Sequence, residues 1–194
     1  MPLPITGSAS KPAIHNILVI GDSISAGFGL RKDTSWVNLL QKRIDIKRYP
    51  YNVINASISG DTTGGGSKRI LKSLKNHQPA LVIIELGGND GLRGFSLKKI
   101  QKNLETMIDT SLSRGHKVLL IGMQLPPNYG LAYTKRFSHI YQTLAKNKKV
   151  SLVPFLFNGF AENSQHFQSD QIHPNEGAQI LILNNIWPVL EPLL

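Results

Sequence analysis

Short apolar runs rich in Val and Ile recur along the chain at residues 17–20, 51–54, 81–84, 118–121 and 150–153. They are too short for helices and read as buried strands. Between them the apolar spacing changes to that of a helix. Trp36, Leu40 and Ile44 mark one helix after the first strand, and Ile70, Leu71 and Leu74 one after the second. Ile100, Leu104, Met107, Ile108 and Leu112 follow, then Phe137, Ile140, Tyr141 and Leu144. Near the C-terminus, Ile180, Leu181, Trp187 and Leu190 continue the habit. Strand and helix thus alternate five times. Parallel neighbours need crossover connections, so this alternation predicts an α/β fold with a parallel five-stranded sheet and helices on both faces.

The 194 residues suit one domain. The reading divides them into an N-terminal tail, 1–15, and a domain, 16–194. An apolar fraction of 41% and a charged fraction of 18% are those of a globular protein. No run approaches the roughly twenty apolar residues of a membrane-spanning helix, so stable membrane insertion is not expected. The opening MPLPITGSASK lacks the apolar segment of a signal peptide, which predicts either a cytoplasmic protein or a signal already removed. With no cysteine, disulfides, thiolate metal sites and cysteine nucleophiles are excluded together. The formal charge of +10 favours acidic partners or is solvated surface lysine.

In such sheets ligands sit beyond the carboxyl ends of the strands, where the strand order reverses. The loops 21–29, 56–66, 87–94, 124–130 and 155–175 therefore carry the candidate chemistry. Gly21-Asp22-Ser23-Ile24-Ser25 is a sharp turn that can expose Ser23, and taken alone it reads equally as a helix cap. It is not a G-x-S-x-G elbow, because Ser25 stands where the second glycine would be. Gly64-Gly65-Gly66-Ser67 lacks the lysine of a phosphate loop. Gly60 can let a substrate oxygen approach its N–H, and Asn89 can donate to a developing oxyanion, although each is also an ordinary turn residue. Asp170-Gln171-Ile172-His173 sets a carboxylate three residues before an imidazole. One turn can aim both, with Asp170 accepting from Nδ1 and Nε2 left to take a proton. His166 is the other candidate base. A strand order of 2-1-3-4-5 would put Ser23, Gly60 and Asn89 after three adjacent strands, so that the N–H groups of Ser23 and Gly60 and the Asn89 amide converge on one oxygen.

These blocks, with the runs NASISGDT, ELGGNDGLRGF and IHPN, resemble the SGNH (GDSL-like) hydrolase superfamily from Asn16 onward. They are most similar to its multifunctional bacterial members acting on acyl-CoA, aryl esters and lysophospholipids. The resemblance implies a three-layer α/β/α, flavodoxin-like fold and a serine hydrolase of acyl esters and thioesters working through an acyl-enzyme on Ser23. It implies a triad of Ser23, Asp170 and His173, an oxyanion hole of Ser23, Gly60 and Asn89, no cofactor and no metal. It further implies a periplasmic monomer acting on small molecules, with no nucleic acid partner; a cytoplasmic location stays open. Leu125 and Pro126, with Pro127 and the segment Phe155-Leu156-Phe157, are candidate walls for an acyl chain, and the two Phe are equally candidates for the core.

Two rivals remain open at this level. A sugar-ester deacetylase would use the same residues, and activity on long acyl thioesters against acetylated sugars separates the two. A basic module binding nucleic acid or acidic lipid would cluster its cations with aromatics on one face, whereas Lys and Arg are scattered through most of the predicted helices. Asp22 and Asp61 are expected to order their loops, and Glu85, inside a strand, has no account from the pattern.

Overall fold

The computed structural model describes residues 13–194. The five predicted strands all form: β1 (His15–Gly21), β2 (Tyr51–Asn55), β3 (Leu81–Glu85), β4 (Lys117–Ile121) and β5 (Ser151–Val153). They pair in parallel in the order β2-β1-β3-β4-β5. Every residue of β3 is buried, which explains its unbroken apolar run. Most of the expected tail lies outside the described residues, and β1 begins at His15.

Crossover helices cover both faces. α2 (Trp36–Ile46) and α7 (Glu176–Leu190) pack together on one, and α3 (Thr63–His77), α5 (Leu97–Leu112) and α6 (Leu131–Lys148) lie side by side on the other. Two further short helices, α1 (Ser23–Ala26) and α4 (Gly88–Leu92), follow β1 and β3 directly. Several helix starts are set by side chains. Ser35 accepts from Asn38 N, Thr62 from Gly65 N and Asn175 from Ala178 N, each such cap being worth about 1 kcal/mol.

The apolar stripe of α7 departs from expectation. Ala178, Ile182, Leu183, Ile186, Trp187 and Leu190 face the core, while Ile180 is 42% exposed. The helix is apolar on most sides, so the sequence does not set its rotation. A polar residue does: the buried Gln179 accepts from Trp36 N at 2.9 Å and donates to the carbonyls of Pro174 and Asn175. Leu71 and Leu112, also assigned to core stripes, are partly exposed at the edges of their helices.

The turn after β3 is built to close tolerance. Gly87 has φ +121°, and a Cβ there would lie 2.1 Å from the hydroxyl of Tyr141, which donates to the Leu86 carbonyl in the core. Gly87→Ala should therefore cost about 2 to 4 kcal/mol, combining backbone strain with overpacking. Thermal unfolding would read this as a Tm lowered by roughly 5 to 15 °C. Gly94, at φ +67° but facing open space, should tolerate alanine at about 1 to 2 kcal/mol. Equal losses at both positions would remove the packing explanation.

Candidate active site

The first strand ends in a glycine because nothing larger fits. A Cβ on Gly21 would stand 2.7 Å from both the Glu85 carboxylate and the Ser25 side chain. Asp22 then caps α1 as its residue type suggests, accepting from Ile24 N at 3.0 Å. Gly27, at φ +78°, ends the helix after one turn, its N–H donating to the Ser23 carbonyl. Ser23 is thereby held at the carboxyl edge of the sheet.

Its partner arrives from the far end of the sequence. Residues 167–174 form a tight loop closed by the Phe167–Pro174 bridge and by Gln168 N donating to the His173 carbonyl. Within it Gln171 takes φ +57°, turning the chain so that Asp170 Oδ1 accepts from the N–H groups of Ile172 and His173. Asp170 Oδ2 lies 2.6 Å from His173 Nδ1, and His173 Nε2 lies 2.8 Å from Ser23 Oγ. With the proton on Nδ1, the ring donates to Asp170 and accepts from Ser23. Against the desolvation that would raise it, these backbone and imidazole contacts hold the Asp170 carboxyl down at about 2. Phe28 packs its ring on His173 at 4.6 Å between centroids, a neighbour the sequence did not reveal. His166 lies elsewhere, against Phe160.

Gly60 follows β2 and Asn89 follows β3, so the loops flank Ser23 as the strand order requires. The N–H groups of Ser23 and Gly60 have no acceptor among the described residues. Gly60 has φ +79° and open space where a Cβ would stand. The Asn89 amide is already engaged, donating to the Asp61 carbonyl at 3.0 Å and to Asp22 Oδ2 at 3.1 Å. Asp22 thus fixes the amide plane. Asp61 also pairs with Arg69 at 2.8 Å, and Arg69 donates to the carbonyls of Ala56 and Gly21, lacing the first two loops together. Asp90 ties the third loop to α3 by accepting from the N–H and hydroxyl of Thr63. Arg69 and Asp90 carried no signal in the local pattern.

Glu85, unexplained by the sequence, lies beneath this floor. It is fully buried, and its Oε2 accepts from Asp22 N at 3.4 Å and lies 2.5 Å from Ser25 Oγ. Its Oε1 has no partner among the described residues. Burial, then the charge of Asp22, push its carboxyl well above the usual range. A protonated Glu85 can donate to Ser25 and avoids an unpaired buried charge. Burial also raises Asp22, to about 6, against the Ile24 N–H, His173 and the Asn89 amide.

Of the candidate walls, Leu125 is buried in the core beside Gly91, and Pro126 is exposed. Leu156 is core, whereas Phe155 and Phe157 are half-buried and pack edge to face.

A model of the GDSL-like Lipase/Acylhydrolase family matches residues 19–179. Esterase TesA of Pseudomonas aeruginosa is 50% identical over 184 residues, covering 95% of this chain and 92% of that protein. Thioesterase 1/protease 1/lysophospholipase L1 of Escherichia coli is 40% identical over 182 residues, covering 94% and 86%. A crystal structure of TesA matches with a TM-score of 0.90 at 50% identity, over 92% of this chain and 99% of that one. The psychrotrophic esterase EstA from Pseudoalteromonas sp., in a structure inhibited by monoethylphosphonate, matches at 0.87 and 38% identity, over 92% and 97%.

The buried Glu85 gives a pH signature. Its folded value is raised, so above its ordinary 4.5 the unfolded chain releases a proton that the folded chain keeps, and stability falls as pH rises. The slope is up to about 1.4 kcal/mol per pH unit until the folded value is passed. Glu85→Gln lacks this slope. Urea unfolding at pH 5 and pH 7 should therefore shift the stability difference towards the variant by up to about 2.8 kcal/mol. A difference independent of pH would mean that Glu85 is ionised in the folded protein.

Proposed function

Because the chain belongs to the GDSL-like lipase/acylhydrolase family, we propose that Ser23 is the nucleophile of an enzyme cleaving acyl esters and thioesters through an acyl-enzyme. The observation that carries the reading is the 2.8 Å contact of Ser23 Oγ with His173 Nε2, in series with the 2.6 Å contact of Nδ1 with Asp170. His173 takes the Ser23 proton as Oγ attacks the acyl carbon, and returns it to the leaving alkoxide or thiolate. A water activated by the same imidazole then attacks the acyl-enzyme, releasing the acid and restoring Ser23. Asp170, held ionised, keeps the tautomer and stabilises the imidazolium that forms in each half.

The oxyanion hole is assigned to the N–H groups of Ser23 and Gly60 and the Asn89 amide. The free backbone donors support this, and Asp22 serves as the group that orients Asn89. These contacts act where charge develops, so they stabilise the transition state more than bound substrate. The half-buried Phe155 and Phe157 and the exposed Pro126, with Leu125 behind, are assigned to the acyl groove. The names of the relatives support both oxygen and sulfur leaving groups. The reading also takes the enzyme to be a periplasmic monomer needing no cofactor, as the resemblance implies. Among the described residues no helix is long and apolar enough to cross a membrane.

A fluorophosphonate should label Ser23, located by peptide mapping, and Ser23→Ala should stay folded yet lose labelling and turnover of an aryl ester. Label on another residue, or turnover by the folded variant, would overturn the assignment. Asn89→Ala should lower kcat by about 10²- to 10³-fold with a smaller change in KM. A change confined to KM would make Asn89 a ground-state binding residue instead.

A further inference from the structure

The charge of +10 is not spread evenly in space. From Thr110 to Ala161 the sequence contains no Asp or Glu, and neither does the stretch between Asp90 and Glu105. The stretch before Glu105 includes the first half of α5 and the stretch from Thr110 includes all of α6, and the two helices pack side by side. The two acids on α5, Glu105 and Asp109, are taken up by Lys148 at 2.9 Å each, and Glu105 also pairs with Lys102. That pairing lies away from the helix starts. At the starts, Arg93, Lys98, Lys99, Lys135 and Arg136 are exposed and have no ion-pair partner among the described residues. Lys98 lines one surface groove with Lys135, Arg136 and His139. Five exposed, unpaired cations therefore stand near the starts of α5 and α6, three of them around one groove.

Apolar side chains are set among them. Phe95 is 42% exposed and Leu131 is 68% exposed. The Tyr133 hydroxyl donates to the Phe95 carbonyl at 3.1 Å, which holds the Phe95 segment against the first turn of α6, where Leu131 stands. Leu131 and Lys135 are one helical turn apart, on the same side of α6. Both helices start at the carboxyl edge of the sheet, and Arg93 lies four residues beyond Asn89. The face therefore adjoins the candidate active site.

Exposed apolar groups within a field of unpaired cations match a lipid interface, with hydrocarbon for the one and anionic headgroups for the other. We propose that this face docks the enzyme reversibly on an anionic phospholipid surface and presents the Ser23 site to acyl chains at that surface. The proposal rests on the reading of the site as an acyl hydrolase. A nucleic acid would use the cations and leave Phe95 and Leu131 without a role.

Sedimentation with vesicles of ether-linked lipids, which contain no acyl ester to cleave, tests the docking alone. The intact protein at about 0.1 M salt should bind vesicles containing phosphatidylglycerol and leave pure phosphatidylcholine vesicles unbound. The triple variant Lys98→Glu, Lys135→Glu, Arg136→Glu should bind the anionic vesicles at least about 50-fold more weakly, since each cation near the surface contributes several-fold. The double variant Phe95→Ser, Leu131→Ser should also lose vesicle binding, while its affinity for a DNA duplex stays that of the unaltered protein. Turnover of a soluble, neutral aryl ester, within about twofold of the unaltered protein in both variants, reads the site separately. The proposal falls if the unaltered protein ignores anionic vesicles or binds both lipids alike. It falls equally if the charge reversals leave binding intact, or if the apolar substitutions weaken DNA and vesicle binding together.

Discussion

A hydrogen bond between residues 150 positions apart holds only if each end is fixed by something stiffer than the bond itself, and the 2.8 Å contact between Ser23 and His173 has that support at both ends. On one side β1 lies inside the sheet, buried between β2 and β3, so its carboxyl end cannot shift without moving both neighbours. On the other side the loop of His173 is anchored at its base, where Asn175 caps α7 and Gln179 locks α7 to the start of α2. The loop after α1 closes the gap from above. Gln168 donates to the Phe28 carbonyl, Arg31 pairs with Glu176, and the Phe28 ring rests on the imidazole. The exposed Arg31–Glu176 pair contributes little stability by itself. Its effect is to restrict a loop whose position decides where Phe28 sits.

Beneath Ser23 the molecule accepts a local cost. Two carboxyl groups, Asp22 and Glu85, share a site largely closed to water, and both are pushed towards the neutral form. Hydrophobic side chains of similar volume would be the more stable solution. Asp22 would then be lost as the acceptor that fixes the Asn89 amide, and the N–H of Ile24 would lose its cap. Glu85 supports Asp22 from below through the N–H of Asp22 and the hydroxyl of Ser25. The polar cluster thus exchanges stability for an amide held in one orientation, which in the proposed mechanism is the condition under which the donor costs no reorganisation at the moment of reaction.

What the sequence made legible was what short-range rules govern. The five strands follow from apolar runs and the Asp170–His173 pairing from a three-residue spacing. The placement of Ser23, Gly60 and Asn89 after three adjacent strands followed from strand order. Contacts that cross the sheet were not legible. Glu85 is sensible only once β3 lies beside β1 and brings it under Ser25, and Arg69 only once its helix passes the ends of two strands. The rotation of α7 depended on Gln179, a residue whose polarity argued for the surface. Nor was it legible that Leu125, in the loop after β4, packs inward into the space that Gly91 leaves.

The same distinction explains why the charge could not be interpreted from composition. A count of cations says nothing about where the anions are spent. Here Asp22, Asp61, Glu85, Asp90 and Asp170 lie around the candidate site, each taken up by a local partner or pushed towards the neutral form by burial. Fields of exposed charges decay over about 8 Å at physiological salt, so acids that are buried or paired cannot offset cations on the rim of α5 and α6. The acidic floor of the site and the basic face beside it are therefore felt by different parts of an approaching molecule. In the proposed mode of action an anionic headgroup would meet the rim, and the scissile carbonyl the donors assigned to Ser23, Gly60 and Asn89.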